Sequence, residues 1–119
     1  ALVQAYIPPD HLAFLRSMPV LLQTPTHLYV HAGIDAAMSI EDQPTDVLLW
    51  YRDDLAETYA ALGRCVVHGH TVVAEPLVTG GRIAIDTGAC RTGTLSAVAI
   101  APGEPPRILD VMEVGYRMR

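Results

Sequence analysis

The stretch VVHGHT, Val66 to Thr71, constrains this chain more than any other. A β-branched apolar run ends directly on His-Gly-His. A second run, LYVHAGI, delivers His31 from a similar exit. Apolar runs of this length read as buried strands, so two imidazoles emerge from two strand ends. Neutral imidazole is a good ligand for zinc, iron and manganese. Gly33 and Gly69 carry no side chain, so backbone can pass close to a bound ion or phosphate there. His31 and His70 are the metal-ligand candidates. His68 is a hydrogen-bonded structural histidine, a direct metal ligand, or a group that donates to substrate or to a residue behind the ligands.

Two neutral histidines leave a cation under-coordinated, because metal-assisted phosphoester hydrolysis draws on carboxylates as well. Asp35 and Asp86 are the nearby acids. Asp86 closes the run GRIAID and reads as a cap or anchor behind the site, or as a direct ligand. Arg52, in DVLLWYRDD, is the candidate catalytic and substrate-binding cation. A guanidinium holds two phosphate oxygens in one planar fork. The alternative is a pair with Asp53, Asp54 or Glu57. Trp50 is expected to pack, Arg64 to cap a helix, and Arg82 and Arg91 to be surface charges.

Around these residues the chain reads as one domain of 119 residues, half of them apolar. Pro8-Pro9-Asp10 opens a helix through HLAFLRSM, with Leu12, Leu15 and Met18 on one stripe and Pro19 as its stop. A second helix begins near Pro44 and runs through VLLWYR. A third spans Asp53 to Leu62, with Leu55, Tyr59 and Leu62 on one side and Gly63 ending it. Strands are expected at Leu28–Val30, Cys65–Val67, Arg82–Asp86, Leu95–Ala101 and Arg107–Val114, with Thr71–Val78 another strand or an extended passage, the later ones mostly antiparallel. A net charge of −5 argues against a nucleic-acid surface. No apolar run is long enough to span a bilayer. Cys65 and Cys90, in separate β-like runs, give no zinc-knuckle spacing and no disulfide framework, which favours a reduced, cytoplasmic setting.

YVHAGI, the W-Y-R of Trp50 to Arg52, VVHGHT and IAIDTGA resemble the C-terminal half of bacterial serine/threonine-type protein phosphatases, in the calcineurin-like metallophosphoesterase superfamily. IPPDHLAFLRSMP is similar to the helix before that family's first C-terminal histidine. The order and spacing around WxR carry the likeness over nearly the whole chain. It implies an α/β fold, the C-terminal half of a four-layer α-β-β-α sandwich with mixed and antiparallel strands. It implies that His31 and His70 hold the second of two divalent ions, Mn²⁺ or else Fe or Zn²⁺, and that Arg52 binds the substrate phosphate. His68 is not a ligand by the motif. The substrate would be a phosphorylated protein or a small phosphoester, hydrolysed without a covalent enzyme intermediate. Val72 replaces the proline common after GHT.

The family's GDxHG, GDxxDRG and GNHE segments do not occur in this sequence. Residues 1–119 are therefore expected to be a partial metallophosphoesterase domain. Its N-terminal metal-binding half would lie in the same parent protein or on another chain, and the chain alone would be inactive. The alternatives are a non-catalytic interaction domain and a mononuclear zinc site built by His31, His70 and Asp86.

Overall fold

The computed structural model describes residues 6–52 and 58–111. Over them the chain is mixed α/β, with a mixed sheet and few helices. Helix α1 spans Pro9–Ser17, with proline in its first turn and Met18 already extended, as Pro19 requires. Strands β1 (Leu21–Gln23) and β2 (His27–Val30) follow, then α2 (Thr45–Trp50). A 3₁₀ helix covers Thr58–Leu62. The remaining elements are β3 (Cys65–His68), β4 (Leu77–Val78), β5 (Arg82–Ala84), the short helix α3 (Ala89–Thr92), β6 (Leu95–Ala99) and β7 (Arg107–Val111).

The first five strands form one sheet in the order β1-β2-β3-β5-β4. Its central pairings, β2 with β3 and β3 with β5, are parallel, and its edges are antiparallel. The antiparallel bias expected of the later strands holds for the β6–β7 hairpin, but β5 joins the sheet parallel to β3. The cause lies in the connections. The segment between β2 and β3 carries α2 and the 3₁₀ turn, and a crossover of that length returns a strand in the same direction. Between β3 and β5 the chain passes through β4, antiparallel to β5, so two reversals leave β5 parallel to β3.

Register sorts the side chains onto two faces, because Cα partners share a face. Leu28, Val66 and Arg82 align across β2, β3 and β5, as do Tyr29, Val67 and Ile83. The first face carries the main core of Leu28, Val30, Ile34, Leu48, Tyr59 and Val66. Leu21, Ile40 and Leu62 pack on its margin. The hairpin lies over the second face, where Leu95 and Ser96 share a cleft with Tyr29, Val67 and Ile85.

Several expectations are modified. β1 and α3 are additional elements, and Cys90 lies in α3 rather than in a strand. In Thr71–Val78 a strand forms only at Leu77–Val78. The helix expected over Asp53 to Leu62 is 3₁₀ over Thr58–Leu62, its earlier part lying outside the described residues. Tyr59 is buried there, and Gly63 ends the turn at φ 65°. No helix among the described residues is long and apolar enough to cross a membrane.

Candidate metal centre

Parallel pairing decides where the histidines go. β2, β3 and β5 all end at one side of the sheet, the side on which open α/β sheets bind ligands. His31 follows β2 directly, His70 lies just beyond β3, and Asp86 just beyond β5. The Gly69 N–H donates to the His31 carbonyl at 2.9 Å, which ties the first two exits together. Below them the cleft encloses about 420 Å³, with Val67, Ile85 and Leu95 in its walls.

Two loops are held from behind. The Ala32 N–H donates to the Leu48 carbonyl (2.9 Å), and the Ile34 N–H donates to the Tyr59 hydroxyl (3.1 Å). These bonds seat the His31 loop on α2 and on the core. Gly33 is needed for that seat, since a Cβ there would stand 2.8 Å from the Tyr59 hydroxyl. On the other loop, His70 takes a left-handed backbone, φ 64°, the sole non-glycine residue to do so among those described. Such conformations persist where surrounding structure over-determines them, and they concentrate at functional sites.

The rings converge. His31 Nε2 lies 3.2 Å from His70 Nδ1, with ring centroids 5.0 Å apart. Nitrogens bonded to one zinc-sized ion at about 2.0–2.1 Å sit about 3 Å apart, so the span suits a shared cation. His70 Nε2 is shielded from solvent and has no hydrogen-bond partner among the described residues. A ring that gives Nδ1 to an ion carries its proton on Nε2 and calls for an acceptor there. Desolvation, followed by the charges of Arg52 and His31, pulls the His70 pKa below the ordinary histidine value, while Asp86 opposes the shift. The neutral, ligating form is favoured.

Arg52 is exposed at the end of α2, close enough for its charge to act on His70. Its alternative partners Asp53, Asp54 and Glu57 lie outside the described residues. Trp50 does not pack as expected. It is 68% exposed, and its ring stands edge-on to His70 at 5.8 Å.

His68 points the other way. It is 4% exposed, on the core face beside Tyr59. Arg82 Nε donates to its Nε2 at 2.7 Å, so its proton sits on Nδ1, which donates to the Gly69 carbonyl at 3.1 Å. Both nitrogens are thus engaged inside the protein, and neither is offered to a substrate. Arg82, read as a surface charge, is buried at 6% exposure as the partner of this ring. Register places position 82 on the face of Val66. Arg91 is exposed, and Arg64 donates to Gln23 Oε1 (2.9 Å), bracing β1.

Asp35 is spent on its own turn, where Oδ1 accepts from the Ala37 N–H at 2.9 Å. Asp86 Oδ1 accepts from the Gly88 N–H at 2.9 Å, the capping role considered for it. Among the described residues no group of three or more His, Cys, Asp or Glu side chains is placed to hold a metal ion. The mononuclear zinc site with Asp86 as direct ligand is therefore not formed. The chain offers two ligand nitrogens and a nearby guanidinium. No known family's sequence profile matches this chain, and no curated protein does.

Proposed function

We propose that this chain is the C-terminal part of a calcineurin-like metallophosphoesterase, and that its parent enzyme hydrolyses phosphomonoesters. The observation that carries the reading is the 3.2 Å approach of His31 Nε2 to His70 Nδ1, from the exits of adjacent parallel strands. At that distance one ring can hydrogen-bond the other, and the same approach suits two nitrogens that share a cation beside the open cleft.

On this reading His31 and His70 hold one of two divalent ions, with Mn²⁺, Fe and Zn²⁺ all suited to imidazole. The bound ions would polarise the phosphoester and lower the cost of deprotonating water. Arg52 pairs with non-bridging phosphate oxygens and offsets the charge that grows on them during transfer. The strained His70 backbone fixes one ligand before the ion arrives, so little ordering cost falls on binding. Oxygen ligands and the group that protonates the leaving alcohol come from the polypeptide that carries the family's acidic segments. The substrate is a phosphorylated protein or a small phosphoester.

Trp50, the sole tryptophan, gives a direct test, since it lies 5.8 Å from His70. Millimolar Mn²⁺ should quench its emission in the 119-residue chain, and His31→Ala and His70→Ala should each weaken that binding by tenfold or more. Equal quenching in wild type and both variants would overturn the site. The same chain, pure and intact, should show no manganese-stimulated turnover of p-nitrophenyl phosphate; full turnover would overturn the claim that it needs further ligands.

A further inference from the structure

We propose that Asp86 is the positioning carboxylate of the histidine pair: it braces the His70 loop and supplies the negative charge a divalent cation needs there, without bonding the cation. This rests on the reading that His31 and His70 hold such an ion.

The HGHT loop is wrapped around Asp86. The Ile85 N–H donates to the His68 carbonyl (3.1 Å) before the loop, and the Val73 N–H donates to the Asp86 carbonyl (2.9 Å) after it. One carboxylate oxygen is pinned to the Gly88 N–H, a bond that relies on the left-handed turn at Gly88, φ 67°. The other lies over Gly69. A Cβ at position 69 would sit 3.7 Å from Asp86 Oδ2 and 3.5 Å from its Cβ. The carboxylate thus rests directly on the peptide that leads into His70, and it borders the cleft.

Charge makes this more than bracing. Two neutral imidazoles bring no negative charge to a dication, and Arg52 repels one. Asp86 lines the same cleft as His31 and His70, so its carboxylate brings a negative charge to the place a shared dication would occupy. Groups just outside a metal's ligands orient those ligands and tune its affinity. Asp86 would do so through the backbone of the His70 loop rather than through a bond to either ring.

The test is Mn²⁺ binding by the 119-residue chain, followed by Trp50 emission and by calorimetry, for Asp86→Asn, Asp86→Ala and His31→Ala. Asparagine keeps an oxygen for the Gly88 N–H but loses the charge. Asp86→Asn is expected to bind Mn²⁺ about tenfold more weakly than wild type with its melting temperature unchanged. Asp86→Ala should lose affinity and also melt lower. If Asp86→Asn binds like wild type while His31→Ala does not, Asp86 is only a cap and the proposal falls. If His31→Ala also binds like wild type, the histidine site falls, and this proposal with it.

Discussion

A single residue, His68, shows how burial decides the work of an imidazole. Desolvation pulls its pKa below the usual histidine value of about 6.5, and the Arg82 charge adds to that. Its bonding to the Gly69 and Ala32 backbone opposes the shift without cancelling it. The folded ring resists a proton that the unfolded ring accepts, so the unfolded chain binds more protons once the pH drops below about 6.5. His68 therefore contributes its full stability above that pH and loses it as the pH falls towards the folded value. The melting temperature should be flat from pH 7 to 8 and decline on acidification. His68→Gln, whose amide oxygen still accepts from Arg82 Nε, should flatten the decline. A wild-type curve no steeper than the variant's would count against the buried neutral ring. A strict strand would put His68 and His70 on one face, but the sequence already separated them, because Gly69 reads as the strand exit. The structure agrees: β3 ends at His68, and His70 takes a positive φ that no described strand residue has.

Elements were easier to find in the sequence than their partners. Apolar β-branched runs located β2, β3, β5, β6 and β7, and the Pro-rich entries located α1 and α2. β1 is three residues long and α3 four, too short for any period to register. Strand direction was the costlier omission, since it alone brings His31, His70 and Asp86 to one edge. The signal was present in the helical segment between β2 and β3, which calls for a parallel return. Gly81 marks how tightly that crossover lies on the sheet. A Cβ there would stand 2.5 Å from the Ala60 nitrogen and 2.8 Å from its Cα, so backbone must shift. Gly81→Ala should cost about 1–3 kcal/mol in urea unfolding. Gly80→Ala, which meets nothing within 4 Å, should cost far less. Equal losses would mean that the 3₁₀ turn does not press on β5.

At the scale of the whole molecule, the apolar surface is larger than one small core can absorb. Helix α1 has the stripe expected of it, yet it buries no residue, and Phe14, Leu15 and Met18 stand 65%, 50% and 48% exposed. Leu22 on the edge strand is 54% exposed, and the hairpin leaves Leu95 at 50% and Leu109 at 39%. β1 also presents an open sheet edge among the described residues. Covering such groups gains about 25 cal/mol for each Å² of apolar surface removed from water, and patches of this kind mark contact surfaces. In the proposed enzyme, the polypeptide that supplies the acidic ligands would cover them. Without it, the chain should satisfy them with copies of itself. Sedimentation velocity over a range of micromolar concentrations should show a weight-average mass rising with concentration. Phe14→Glu combined with Leu22→Glu should return the boundary towards the monomer, because a charge in either patch would have to be desolvated on contact. Phe14 lies on α1 and Leu22 on β1, not on the histidine loops, so Mn²⁺ quenching of Trp50 should survive the double change. A wild-type chain that stays compact and monomeric throughout that range, without binding a dye for exposed apolar surface, would show that these side chains need no partner. The case for a second polypeptide would then rest on the metal's missing oxygen ligands alone.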